Sequence, residues 1–353
     1  MKYTLIEAGK TGYPVAKQCA WLSVSRAGYY AWRKRSPSAH AKQDERLGVL
    51  VSEAHERSRR TYGSPRVHAE LLAQGETVSR KRIVRLMQKQ RLVARPRRRY
   101  KGTTNSAHSH PVAPNLLARD FTAAGPNQRW VGDTTELLVG DKRTKLYLAV
   151  ILDLFSRFVV GWALSLQNDR YLTMKALDMA LLRRCPGTGL MHHSDRGSTY
   201  ASQDYQQQLG SHGITCSMSR SGNCLDNAAM ESWNSTLKSE LGEHFPNQTQ
   251  AQAQLFDYIE VFYNQQRRHS SLGYSSPAQY ERAAKRESAA GSRNRPANTA
   301  LQTEPGTRKA LFVGTAGQPP APTNALFPET ALAQRDFFSK RRYTTQHELA
   351  LQP

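Results

Sequence analysis

Three carboxylates in this sequence stand where they could share one task. Asp133 lies in "WVGDTTEL", Asp195 in "LMHHSDRGSTYAS" and Glu231 in "DNAAMESWNSTLKSEL". Taken one at a time, each has a plain explanation. Aspartates at strand ends cap turns, and helical glutamates face water. Gathered together, they would repel one another unless cations lay between them. An all-oxygen donor set suits Mg²⁺ or Mn²⁺. Two such ions about 4 Å apart can activate a water or a 3′-hydroxyl and stabilise the leaving oxygen in phosphoryl transfer. The chemistry these residues suggest is attack on a phosphodiester.

The surrounding elements decide whether the three can meet. Residues 128–139 and 145–155 read as strands, and 157–165 as a third, antiparallel to the second. Side chains alternate along a strand, so Asp133 projects from the face opposite Gly132 and Thr134. A helix is expected over 169–185, with Leu172, Ala176, Met179 and Leu182 periodic along it. A short strand at 189–194, a helix at 202–213, a strand at 214–219 and a helix at 226–241 follow. Asp195 thus falls at a strand end. On the last helix Asn227, Glu231, Ser235 and Lys238 share one face, and Met230, Trp233, Leu237 and Leu241 form a stripe about 100° away. That helix can bury its apolar stripe on the sheet while Glu231 and Lys238 face a substrate. Three strands, then helix, strand, helix, strand, helix is the order of an RNase H-like α/β fold with a mixed sheet.

Several neighbours of the acids have two readings. Asp153 is expected to close the turn between two strands, with metal contact as its second reading. Asp226 suits a helix cap as well as a ligand, and Asn223 and Asn227 would shape the same loop and helix start. His193 can orient Asp195, touch a phosphate or lie at the surface, while Gly197 permits a turn. Farther on, Phe256, Ile259, Phe262 and Tyr263 give a helical stripe, and Ser276–Pro277 can start another helix. Arg267, Arg268 and His269 between them are candidates for phosphate contact, or for a helical cap on the edge of the core.

Charge points to the substrate. The chain carries a net charge of +22, and residues 1–101 alone hold 24 Lys/Arg against 7 Asp/Glu. Such a surface favours polyanions. Residues 13–35 read as a helical pair, either a helix-turn-helix or a plain hairpin, with Ser25 as a cap. Residues 62–99 read as a clearer pair. Ser64 can cap its first helix with Pro65 at the first helical position, Val67, Leu71 and Leu72 form a stripe, Gly75 breaks the chain and Ser79 can cap the second helix. Arg80, Lys81, Arg82, Arg85 and Lys89 crowd that helix, as major-groove docking uses, and Arg97 and Arg98 follow in "RPRRRYK". The expected domains are 1–55 (helical), 56–100 (basic helix-turn-helix-like), 101–125 (linker), 126–285 (catalytic core with a helical extension) and 286–353 (a disordered tail). No apolar run is long enough to span a membrane. The four cysteines form no CxxC pair, so a reducing cytoplasm is the expected setting.

"WVGDTTEL", "HHSDRGSTYAS", "SRSGNCLDNAAMESWNSTLKSEL" and "FYNQQRRHSSLGYSSPAQYE" occur in this order, with 35 residues between Asp195 and Glu231 and Lys238 seven after the glutamate. Over about residues 13–283 the chain resembles the DDE transposases of bacterial insertion sequences. Specifically, it resembles the catalytic, OrfB-type subunit of the insertion-sequence-three family, relatives of retroviral integrases. The resemblance implies that Asp133, Asp195 and Glu231 bind Mg²⁺ or Mn²⁺, two ions in all, and that Lys238 contacts DNA near the cut end. Arg196 and Asn227, beside two of the acids, are further candidates for DNA contact. It implies cleavage at the element's terminal inverted repeats and joining of the freed 3′-hydroxyl to target DNA. A smaller upstream OrfA-type protein, or a fusion with it, and self-association on DNA are implied as well. Two other readings stand beside it: an RNase H-like nuclease without strand transfer, and an inactive DNA-binding regulator from a decayed element.

Overall fold

The computed structural model describes residues 2–95 and 111–293. Arg97 and Arg98, most of the expected tail and much of the expected linker lie outside the described residues. The chain opens with three short helices, α1 (Lys2–Gly9), α2 (Val15–Trp21) and α3 (Arg26–Lys34). They enclose a small core of Ile6, Cys19 and Tyr29, flanked by Tyr3 and Trp32. Ser25 caps α3 as expected, its Oγ accepting from the Gly28 amide at 2.9 Å.

A second helical unit comprises α4 (Ala39–Arg57), α5 (Ser64–Ala73) and α6 (Arg80–Lys89). Leu47, Val51 and Ala54 of α4 are buried with Val67 and Leu71 of α5 and Ile83, Leu86 and Met87 of α6. The boundary expected at 55/56 therefore falls inside α4, because that helix supplies a wall of the second unit's core. Gly63, not Ser64, occupies the cap position of α5; Ser64 and Pro65 are its first helical residues. Leu72 lies outside the buried stripe and is half exposed. Ser79 caps α6 through the Arg82 amide.

The sheet contains β1 (Arg129–Val139), β2 (Thr144–Asp153), β3 (Val159–Ser165), β4 (Met191–Ser194) and β5 (Thr215–Met218), in the order β3-β2-β1-β4-β5. The first three are antiparallel; β1, β4 and β5 are parallel. This is the RNase H-like arrangement. A two-residue strand that the sequence pattern does not signal, β6 (His244–Phe245), pairs with the far end of β1. On one face lie α7 (Arg170–Arg184), α8 (Ser198–Ala201) and α9 (Gln203–Ser211), burying Trp130, Ala149, Ile151 and Val160 of the sheet. Gly161 lets α7 come that close: a Cβ there would stand 2.1 Å from the Ala176 carbonyl oxygen. The inward stripe of α7 is Leu172, Ala176, Leu177, Ala180 and Leu181, and Leu182 turns out to solvent.

The other face carries Val131, Leu137, Leu148 and Val150. It is covered by α10 (Ala228–Glu240), α11 (Gln248–Phe256), a π-helical segment Asp257–Tyr263 and the α4–α6 unit, all in one continuous core. α10 begins two residues later than its periodicity suggests, after a 3₁₀ turn over Cys224–Asn227. The π segment buries Tyr258, Ile259, Phe262 and Tyr263, whereas Phe256 is partly exposed. The final helix, α12 (Pro277–Arg293), starts where Ser276–Pro277 signalled it; the Ser276 Oγ accepts from the Gln279 amide.

Candidate active site

The sheet is split where the acids gather. One edge of β1 pairs with β2 along its length. The other pairs with β4 over 129–131 and with β6 over 138–139, which leaves 132–137 without a strand partner on that side among the described residues. Asp133 lies in this split, on the α10 face of the sheet. Its Oδ1 accepts from the Thr134 amide at 2.9 Å and its Oδ2 from Asn234 Nδ2 at 2.8 Å. Seven residues earlier, about two helical turns, Asn227 Nδ2 donates to the Gly132 carbonyl at 3.2 Å. α10 is thus fastened to β1 on both sides of Glu231, which remains exposed between the two asparagines. Asp195 follows the carboxyl end of β4, the end of parallel strands where α/β sheets place their ligands. The Gly197 amide holds its Oδ1 at 2.9 Å, and a Cβ on Gly197 would stand 3.0 Å from that oxygen.

Electrostatics ties the three together. Burial first, then the negative charge of Asp195 and more weakly that of Glu231, push the Asp133 carboxyl well above the ordinary aspartate range. The Thr134 amide and Asn234 pull it the other way. Lys238 is half buried; burial lowers its pKa, and the carboxylates of Glu243, Glu136 and Asp133 oppose that. Two more oxygens, Oδ1 of Asn227 and of Asn234, are buried with no hydrogen-bond partner among the described residues. This crowded, oxygen-rich set suits a hard divalent cation by its donor chemistry. As the side chains stand, no three His, Cys, Asp or Glu groups among the described residues are gathered closely enough to hold one.

The flanking residues sort differently from their sequence readings. His193 is fully buried, so neither the surface nor the phosphate role fits it. Its Nδ1 lies 2.8 Å from Ser217 Oγ and its Nε2 3.2 Å from Ser219 Oγ, and burial lowers its pKa to about 4. Asp226 neither caps nor faces a ligand. It is buried beneath Arg220 and Arg119 and accepts from Asn115 at 2.9 Å, with the Arg220 bonds foremost in holding its carboxyl far below the usual range. Asp153 closes its turn, accepting from the Asn127 and Phe155 amides. Arg196 is half buried at a cavity of about 310 Å³ shared with Arg220, Asn115 and Met218. Asn234 is the site residue that the sequence reading missed; its position three after Glu231, on the same helical face, was the available signal.

The basic residues also divide. Arg80, Lys81 and Lys89 are exposed along α6. Arg82 and Arg85 are instead paired with Asp44 of α4 at 2.7 and 2.6 Å. Arg267 and Arg268, expected as phosphate contacts or as part of a helical cap, are each engaged by a carboxylate. Arg267 is 3% exposed and bidentate on Glu240, and Arg268 is paired with Glu70 at 2.6 Å. His269 is enclosed with them, ring against Tyr263.

Residues 123–224 match a family model described as integrase core domain, and 212–277 match a second model of the same description. Residues 42–100 match an HTH-like domain. The chain is 46% identical over 264 residues to a 31 kDa protein of insertion element IS600 from Shigella sonnei, covering 74% of this chain and 96% of that one. It is 41% identical over 285 residues to the transposase InsF for insertion sequence IS3A of Escherichia coli K12, covering 80% of this chain and 98% of that one. Among solved structures it is similar to the HTLV-2 integrase catalytic core domain in complex with magnesium, at 21% identity and a TM-score of 0.35, over 45% of this chain and 99% of that one. It is also similar to a chain of the simian T-cell lymphotropic virus intasome, at 16% identity and a TM-score of 0.39, over 75% and 80%.

Proposed function

The chain belongs to the DNA transposases of IS3-type insertion sequences, and from that premise we propose that Asp133, Asp195 and Glu231 together bind divalent metal for cleavage and strand joining. The observation that carries this reading is geometric: Asn227 and Asn234 tie α10, on either side of Glu231, to the stretch of β1 that bears Asp133, next to the β4 end that bears Asp195, and the charges of Asp195 and Glu231 add to burial in raising the Asp133 carboxyl. A carboxyl that resists ionising beside two other acids gains most from a neighbouring dication. Bound Mg²⁺ or Mn²⁺, two ions at full occupancy, would supply charge stabilisation at the attacking and leaving oxygens. The protein's part is placement. Asn234 and the Thr134 amide fix the Asp133 carboxylate, the Gly197 amide fixes that of Asp195, and the two asparagine bonds to β1 hold α10 with Glu231 in the split of the sheet. Lys238, seven residues after Glu231, offers a cation to the DNA backbone at the same face, with Asn227 and Arg196 beside the acids.

The reaction is read as two in-line displacements, the first freeing a 3′-hydroxyl at the element's end and the second joining it to target DNA, with no side chain acting as nucleophile. Arg80 and Lys81 on α6 are the best placed of the basic residues for end binding. An upstream OrfA-type protein and self-association on DNA complete the proposed assembly. No described helix is long and apolar enough to cross a membrane. The test is Mg²⁺-dependent cleavage and joining on duplexes bearing the element's ends, with the upstream protein supplied, for wild type and Glu231→Gln. Loss of both steps with DNA binding retained supports the metal-binding triad. Cleavage without joining in wild type would favour a nuclease, and binding without chemistry a regulator.

A further inference from the structure

Arg267 and Arg268 join two parts of the chain. Glu240, the last residue of α10, is buried and accepts from Nε and Nη2 of Arg267 at 2.8 and 2.6 Å. The same carboxylate accepts from Tyr258 at 2.8 Å and lies 3.8 Å from Arg66 of α5. Arg95, beyond α6, donates to the Glu240 carbonyl. Beside this hub, the Tyr62 hydroxyl receives the Arg268 amide at 2.7 Å, and Arg268 reaches Glu70 of α5 at 2.6 Å and the Tyr274 carbonyl at 2.9 Å. Arg59 pairs with Asp257 at 2.8 Å and lies over the Phe262 ring at 4.7 Å.

We propose that this network is a clamp fixing the α4–α6 unit to the end of α10, so that it sets the distance between DNA held by α6 and the bond cut at Glu231. The proposal rests on the transposase reading above and adds cut-site specificity to it. Its physical basis is the kind of contact involved. Apolar contacts between the unit and α10 are non-directional. A buried ion pair adds a directional constraint to them, because displacement leaves an uncompensated charge out of water. Glu240 accepts from Arg267 and Tyr258 and faces a second cation, Arg66, so it has one well-satisfied position. The nine residues from Glu231 to Glu240 are one stiff helical stretch of about 14 Å. A shift of α5 at the clamp is therefore passed directly to the acid at the other end. Glu240, Arg267, Tyr62, Glu70 and Arg268 are accordingly positioning residues that touch neither metal nor DNA.

The test uses the full chain with Glu70→Arg, Arg268→Glu, the double charge swap and Tyr62→Phe. Tyr62→Phe keeps the ring and removes only the hydroxyl, so it covers the case in which a charge reversal fails to fold. Hydrogen exchange without DNA reads the clamp: the single variants should expose α5 amides while α9 stays protected. Mapping of cut ends in Mg²⁺ reads the distance. Cutting at the wild-type nucleotide should fall by on the order of 100-fold in the charge reversals, with cuts scattered to neighbouring positions, and the double swap should restore it. Unchanged exchange in Tyr62→Phe and both reversals would overturn the clamp. Altered exchange with all cuts still at the wild-type nucleotide would overturn its role in spacing. If wild type itself never cuts, the transposase chemistry fails, while the exchange result still decides the clamp.

Discussion

At the scale of single residues, the site depends on groups that hold the acids as much as on the acids. Asn234 fixes one oxygen of Asp133 from the same helical face as Glu231. Partners of this kind typically cost about 10- to 100-fold in metal affinity or activity when removed. Asn234→Ala is expected to lower strand joining by that order and to raise the Mg²⁺ concentration needed for half activity, with DNA affinity unchanged. A Mg²⁺ titration of joining checks it; a loss independent of Mg²⁺ would point to general damage. Asp153 gives a separate expectation, about stability. Burial raises its carboxyl from 3.8 to about 6. Over that window the unfolded chain is ionised and the folded chain is not, so the unfolded state holds fewer protons. Stability therefore falls as pH rises from about 4 to about 6 and levels off above, by on the order of 3 kcal/mol in all. Asp153→Asn keeps one acceptor oxygen for two amide donors, so it should be less stable at low pH, yet lack this slope. Urea denaturation across the window distinguishes the two curves.

At the scale of elements, closeness of packing is what the active-site geometry rests on. Gly161 lies where α7 crosses β3, and a Cβ would meet the Ala176 carbonyl at 2.1 Å, the Ala180 amide at 2.8 Å and the Ala180 side chain at 2.9 Å. The first two are backbone atoms and cannot rotate away. Gly161→Ala should then cost about 1–3 kcal/mol or more, seen as a lower urea midpoint with the same slope. The same elements show what was legible in sequence. The alternation of 128–139 and the stripe of α10 placed Asp133, Asp195 and Glu231 on the right strand, strand end and helix, since period-2 and period-3.6 patterns record burial directly. Three features were not written that way. β6 is two residues long, too short for any periodicity. The π segment changes the helical phase, so Tyr258 is buried and Phe256 is not. The direction of Arg267 depends on Glu240, 27 residues away; a basic residue beside a core reads as a DNA contact until that acid is located.

At the scale of the whole molecule, the net charge of +22 favours salt-sensitive binding of a polyanion, but does not say which cations contribute. Counterion release gives each neutralised phosphate a slope of about −0.9 in log K against log salt. A cation already committed to an acid contributes little to that count, since it brings its own counter-charge. Arg80 and Lys81 are exposed on α6, whereas Arg82 and Arg85 share Asp44. Arg80→Ala and Lys81→Ala should therefore each reduce the magnitude of the slope by about 0.9, and together by about twice that if both touch phosphate. Arg82→Gln leaves Asp44 paired with Arg85 and should change the slope by much less. Binding isotherms on a fixed duplex over a series of salt concentrations make the comparison. An equal fall for Arg82→Gln would mean that Asp44 releases its partner when DNA arrives. The α4–α6 unit would then exchange an internal ion pair for a phosphate as it docks.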